Sequence, residues 1–349
     1  MPFYRPDPCC FESRPSRFRR RWTRGGAVRS ALAGLLLLVC LPASFSLARA
    51  ATLRVGPQYQ LKLPSQAARV AKDGDVVEIE AGNYPRDAAV WRASRLTLRG
   101  VNGMAQLVSG GVTVEGKAIW VIKGNDTVVE DVGFFEARVP DQNGAGIRLE
   151  GANLTVRRCL FRDNENGILT GANAASEVLV ENSEFDHNGF GDGYSHNLYI
   201  GAIGRFTLRD SISRQARAGH QVKSRAMINI ITGNRLEDGP SGRSSYLIDL
   251  PSGGDVEITG NVLQQGPLAE NFTMLAYGAE RMPYAVNRLR IRGNTFVNDR
   301  QQGCRAIWVK PALEKAEVSG NKFVGCPRIE GKVQESDNQV LPRQGYPGE

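Results

Sequence analysis

Ile231-Thr-Gly-Asn-Arg-Leu236 and Ile258-Thr-Gly-Asn-Val-Leu263 are two copies of one six-residue pattern. An aliphatic residue is followed by two small or polar residues, an Asn or small residue, any residue, and then Leu or Phe. Earlier copies read Val129-Glu-Asp-Val-Gly-Phe134, Val156-Arg-Arg-Cys-Leu-Phe161 and Val180-Glu-Asn-Ser-Glu-Phe185. The pattern weakens at Leu208-Arg-Asp-Ser-Ile-Ser213 and returns at Ile291-Arg-Gly-Asn-Thr-Phe296 and Val318-Ser-Gly-Asn-Lys-Phe323. Successive starts are 27, 24, 28, 23, 27, 33 and 27 residues apart. Between the copies there is no long apolar segment of helical period, only further strand-like runs. These are Gly146-Ile-Arg-Leu149, Asn197-Leu-Tyr-Ile200, Gln221-Val-Lys223, Leu247-Ile-Asp-Leu250 and Ala306-Ile-Trp-Val309. Short strands recurring in the mid-twenties, joined by Gly, Asn and Asp, predict an all-β right-handed parallel β-helix, one coil per repeat. A β-propeller blade needs about 40 residues or more and does not fit.

In such a solenoid, like positions of successive coils stack about 4.8 Å apart. Asn234, Asn261, Asn294 and Asn321 then form an inward amide ladder with a structural role. A solenoid must also cover its open ends. Residues 65–72 place Ala67, Ala68, Val70 and Ala71 in a short capping helix with Ser65 as its N-cap, before the first strand at Val76-Val-Glu-Ile79. The expected domain spans residues 51–334, and the polar stretch 335–349, with Pro342, Gly345 and Pro347, reads as a flexible tail.

The 349 residues carry a formal charge of +8, which hints at a nucleic-acid partner until it is located. Residues 1–50 hold nine arginines against Asp7 and Glu12, leaving 35 basic and 34 acidic side chains in the rest. The basic excess belongs to the first 50 residues, so the charge argument for nucleic acid fails. That segment has a basic stretch, an apolar run over 31–41 and Ala48-Arg49-Ala50, and it reads as a signal peptide. The chain is therefore expected to be periplasmic or secreted, with no stable membrane insertion after cleavage. Cysteine use agrees: Cys304 and Cys326, 22 residues apart, suit a disulfide between neighbouring coils, and Cys159 reads as a buried thiol.

The segment from Leu53-Arg-Val-Gly56 through Gly74-Asp-Val-Val-Glu-Ile-Glu-Ala-Gly-Asn-Tyr84 resembles the start of secreted right-handed parallel β-helix proteins of the pectate lyase-like superfamily. That resemblance implies fold more than chemistry, since members include carbohydrate lyases, epimerases and hydrolases.

All three histidines, His187, His196 and His220, fall within one 34-residue window. Aligning Leu198, Val222 and Ile248 puts His196, His220 and Tyr246 in one column and Tyr199, Lys223 and Asp249 in an outward one. This suits proton abstraction at C5 of a uronic acid, which needs a cation at the carboxylate, a base and a proton donor. Lys223 is the expected base, activated by Arg225 and His220. Tyr199 is the expected donor, and His196 could exchange roles with either. Arg217, Arg225 and Arg243 are the carboxylate-binding candidates. Tyr194, on a Gly-rich loop, and Tyr277 and Tyr284, in the long 33-residue interval, are candidates to cover or stack on sugar rings. Asp249 is either the partner of Lys223 or a turn residue before Pro251.

The expected partner is an acidic polysaccharide. No cofactor is assigned: Asp163, Asp186 and Asp192 could supply oxygens to calcium but form no column, and zinc at His196 and His220 lacks a third ligand. A hydrolase of this fold is disfavoured because Gly219-His-Gln221 departs from Gly-His-Gly and no Asp-Asp pair exists. The competing class is a non-catalytic glycan-binding or cell-envelope scaffold protein.

Overall fold

A computed structural model describes residues 50–310, 313 and 316–343. The leader expected over residues 1–50 lies almost wholly outside the described residues. The chain winds as a parallel β-solenoid. A ten-stranded parallel sheet runs from Ala89–Trp91 to Ile329–Glu330, and a 21-stranded sheet forms the other walls. Register follows the repeat read from sequence: Phe134 pairs with Phe161, Phe161 with Phe185, Phe185 with Ser213 and Leu236 with Leu263. The 33-residue interval is absorbed without a slip, since Leu263 pairs with Phe296.

Two kinds of column fill the interior. Phe134, Phe161 and Phe185 stack with ring centroids 5.0 and 4.7 Å apart, burying apolar area with favourable ring geometry. The amide ladder is present: Nδ2 of Asn234, Asn261 and Asn294 donates to Oδ1 of the next Asn at 2.9, 2.9 and 3.0 Å. Each ladder amide also closes a turn. Asn261 Nδ2 donates to the Ile231 carbonyl, and its Oδ1 accepts the Asn234 backbone N–H. Asn338 extends the ladder by one coil.

Sequence reading missed a second ladder, which runs Asn164, Asn188, Asn197, Gln221 and Asp238. It accounts for the weak repeat copy. Ser213 stands where other coils place Phe, and its hydroxyl accepts from Asn197 Nδ2 and donates to the Gln221 carbonyl.

At the N-terminal end a helix, Pro64–Val70, packs against Thr52–Val55 and Ala89–Trp91 and buries Ala67. Its N-cap position is Leu63, not Ser65: Pro64 takes the first helical position, and the Gln66 side chain accepts from the N–H groups of Lys62 and Leu63. The other end also differs from expectation. Gln334–Ser336 and Gln339–Leu341 pair as strands of the stack, so the solenoid continues past residue 334; residues 344–349 lie outside the described residues. Three strands, Ala118–Ile122, Asn166–Thr170 and Thr273–Tyr277, escaped the sequence reading because every residue in them is buried and no alternation marks them. Cys304 and Cys326 form a disulfide with Cα atoms 5.7 Å apart. Cys159 is buried, and burial pushes its thiol up to about 12, which makes it inert.

Replacing Asn261 by Ala strands the Ile231 carbonyl and the Asn234 N–H in the interior. Urea denaturation should show a loss of roughly 3 kcal/mol or more, against about 1 kcal/mol for Asn338→Ala at the half-exposed end.

Candidate functional site

Leu198–Ile200, Val222–Ser224 and Ile248–Leu250 are adjacent strands of the ten-stranded sheet. Their inward residues Leu198, Val222 and Ile248 are fully buried, which fixes the face on which their neighbours project. Tyr199 pairs with Lys223 and Lys223 with Asp249, so these three form the outward column. Lys223 Nζ lies 3.4 Å from Asp249 Oδ2 and 5.8 Å from the centre of the Tyr199 ring. Asp249 is itself almost wholly covered, and its Oδ1 has no hydrogen-bond partner. Burial raises its carboxyl to about 6 in spite of the opposing Lys223 charge. Of the two sequence readings of Asp249, the geometry is that of a lysine partner.

His196 and His220 stack with ring centroids 4.5 Å apart, and Tyr246 lies over His220 at 5.0 Å. His196 Nδ1 accepts the His220 backbone N–H at 3.0 Å, and His220 Nδ1 accepts that of Tyr246 at 3.2 Å. These bonds leave the proton on Nε2 in both rings. Burial, and then the neighbouring charges, push His196 well below its ordinary value and His220 to about 3. Both are neutral, which corrects two expectations. His220 adds no positive charge beside Lys223, and His196 has no free lone pair with which to act as a base. Its Nε2–H can only donate.

The column opens into a cleft of about 400 Å³ lined by His196, Tyr199, Lys223 and Arg225, with loop residues Asp141, Gln142, Asn143, Asp192, Tyr194 and Glu280. Glu165 shapes one wall. Its buried carboxylate accepts the N–H groups of Val139 and Gly144, closing the loop that carries residues 141–143. Asn166 ties that loop to the histidines, donating to Asn143 Oδ1 and accepting the His196 N–H. Tyr194 is 81% exposed on the Gly-rich loop over the opposite rim.

Arg225 lines the cleft with its charge already engaged. Its guanidinium grips both oxygens of Glu280 at 2.8 and 2.9 Å, and Nε approaches Tyr199 Oη at 3.3 Å. Glu280 holds Arg225 above its ordinary value, and Arg225 holds Glu280 below its own. Glu280 belongs to the insertion that lengthens one coil. There Tyr284 Oη donates to the Arg225 carbonyl and Lys310 Nζ to that of Glu280.

Other expected contributors fall elsewhere. Arg217 and Arg243 line a different cavity of about 320 Å³ with His187, Ser241 and Glu270; Arg217 is paired with Asp163, and Arg243 lies 3.5 Å from Glu270. Tyr277 ends a core strand, is wholly buried, and donates from Oη to the Gly254 carbonyl, so no sugar can reach its ring. Tyr284 buttresses Arg225 rather than lining the cleft.

Asp163 is paired with Arg217, Asp186 with Arg162 and His187, and Asp192 accepts the Tyr194 N–H. Among the described residues no cluster of three His, Cys, Asp or Glu could hold a metal, and no helix is long and apolar enough to cross a membrane. Asp141, Gln142, Asn143 and Glu280 were missed because only the 33-residue interval hinted at the last, and nothing in the repeat marks the others.

Residues 89–263, half of the chain, match the family described as the right handed beta helix region, and the chain belongs to that family. No curated protein matches it in sequence. Among solved structures, an alginate lyase from Paenibacillus sp. str. FPU-7 superposes with a TM-score of 0.63 at 15% identity, covering 81% of this chain and 99% of that one. The PL6 family alginate lyase AlyGC gives 0.47 at 16% identity, covering 84% and 40%. PfbA, a surface adhesin of Streptococcus pneumoniae, gives 0.42 at 14% identity, covering 81% and 87%. At these identities the likeness is one of fold.

The two neutral histidines make stability depend on pH. Their folded values lie below the ordinary 6.5, so the stability they contribute is present above pH 6.5 and lost as pH falls below it, for His220 down to about 3. Asp249 has the opposite sign, since its raised value gives stability that is present below pH 3.8 and lost as pH rises through about 6. Two groups outweigh one. The unfolding free energy from urea titration should fall between pH 6 and pH 5, with His220 contributing about 1.4 kcal/mol of the fall and Asp249 partly offsetting it, and His220→Gln should remove that contribution. An unchanged slope in the variant would show that His220 is not buried neutral.

Proposed function

We propose that the Lys223–Tyr199 cleft is the active site of a glycan-directed enzyme that acts on uronic acid units by C5 proton abstraction, as an eliminase or an epimerase. The observation that carries this reading is the register pairing of Tyr199 with Lys223 on the open face, above a histidine pair that can only donate. The amine and phenol stand one strand spacing apart and face the same cleft.

In elimination, the Lys223 amine takes the C5 proton, the C4–O4 bond breaks with formation of the C4–C5 double bond, and Tyr199 gives a proton to the departing O4. In epimerisation the C4–O4 bond survives and the C5 carbanion takes the Tyr199 phenol proton on the face opposite to Lys223. Asp249 orients the Lys223 side chain, and Arg225, 3.3 Å from Tyr199 Oη, positions the phenol. Amide donors Gln142 and Asn143 line the same cleft and can bind the substrate carboxylate. The alginate lyase likeness supports a glycan-active member of the fold, and the cleft residues support the reaction type. Export, to the periplasm or beyond, belongs to the same reading, on the leader's basic and apolar pattern and the Cys304–Cys326 disulfide.

One observation favours the non-catalytic alternative. Asp141, Asp192 and Glu280 rim the cleft, and Glu280 already occupies Arg225. A binding protein for a less acidic glycan would suit that rim.

A panel of acidic polysaccharides decides between the two, assayed for unsaturated product in the near ultraviolet and for change in uronate composition. Lys223→Ala and Tyr199→Phe should each lower turnover by 10²-fold or more while leaving glycan binding within a few-fold. Binding without product from the wild type on every polymer would assign the protein to the binding class.

A further inference from the structure

The outward column does not end at Tyr199. Tyr199 pairs with Leu169, and Leu169 with Arg148, which puts Arg148 two strands from Tyr199 and three from Lys223. Among the described residues no hydrogen-bond or ion-pair partner meets its guanidinium, and its Nε is shielded from solvent with nothing to donate to. Nearby cations differ: Lys117 is paired with Glu150, and Lys123 with Glu115. A shielded donor without an acceptor is disfavoured, and a carboxylate is the planar partner that fits a guanidinium fork. Between Arg148 and Lys223 the column carries no charge: Leu169 is almost wholly covered, in an apolar cluster with Val121 and Ala145, and half-buried Tyr199 packs against it.

We propose that Arg148 is an anion subsite for a second uronate of the same glycan chain, two or three units from the reacting one. Each coil rises about 4.8 Å, close to the length of one 1,4-linked hexuronate, so a glycan laid along the solenoid axis brings one unit to each strand. Arg148 and Lys223 then hold units about 10 to 15 Å apart, and the site prefers chains of at least four acidic units. This rests on the proposed uronate-directed function, and it adds a length and charge preference to it.

The test measures calorimetric binding of saturated diuronate and hexauronate, together with a hexasaccharide whose carboxyls are reduced, to Lys223→Ala with and without Arg148→Gln. The hexauronate should bind Lys223→Ala tenfold or more tighter than the diuronate. Arg148→Gln should abolish that gain, leave diuronate binding within twofold and leave the reduced hexasaccharide unaffected. Arg148→Lys keeps the charge without the fork and should retain part of the gain, and it carries the test if Arg148→Gln does not fold. Hexauronate binding indifferent to Arg148 overturns this subsite alone, as does an equal loss for diuronate or for the reduced hexasaccharide. If wild type yields neither unsaturated nor epimerised product yet hexauronate binding depends on Arg148, the subsite stands and the catalytic reading falls. No binding of any acidic oligosaccharide overturns both.

Discussion

The structure depends on hydrogen bonds that run along the stack rather than within a coil. Backbone pairing between coils sets the spacing, and buried amides hold each turn to its neighbours: Asn261 alone satisfies the Ile231 carbonyl, the Asn234 N–H and the Asn294 side chain. Such groups are expensive to bury unpaired and nearly free when fully paired. Turns can therefore vary and coils can lengthen from 23 to 33 residues while the columns stay in register. The site is a consequence of that tolerance, because the sheet stays regular while the loops at its edges carry Asp141, Asp192 and Glu280 over it.

The same constraint fixes the protonation of the histidines. Each ring nitrogen Nδ1 is spent on a backbone N–H of the following coil, much as an Asn Oδ1 in the ladders is spent on one of the preceding coil. His196 and His220 thus serve as ladder residues whose outer edge happens to meet the cleft, and His220 reaches toward Asp249 at 3.4 Å. Charge in the cleft is then left to Lys223 and Arg225 against Asp249, Glu280 and the rim. Arg225 and Glu280 cancel each other, and Lys223 and Asp249 share a partly covered pocket.

What was legible in the sequence was whatever repeats. The Asn positions, the Phe positions and the pairing of Tyr199 with Lys223 all follow from counting two dozen residues. The strands Asn166–Thr170 and Thr273–Tyr277 were not legible, because burial on both faces erases the alternation that marks a strand. Tyr277 was misplaced for that reason. Arg217 and Arg243 were grouped with the site because they are close to it in sequence, yet they face the other side of the Gly-rich loop. The carboxylates of the rim come from loops, whose contacts no periodicity records.

Central to the account is that a glycan lies along the solenoid axis with its reacting unit between Tyr199 and Lys223. A crystal structure of Lys223→Ala with a saturated hexauronate tests this most directly. The account predicts a chain parallel to the axis, one sugar per strand, with a C5 hydrogen facing the vacated lysine position and O4 beside Tyr199 Oη. A glycan lying across the coils, or seated in the Arg217–Arg243 cavity with the Lys223 cleft empty, would contradict it.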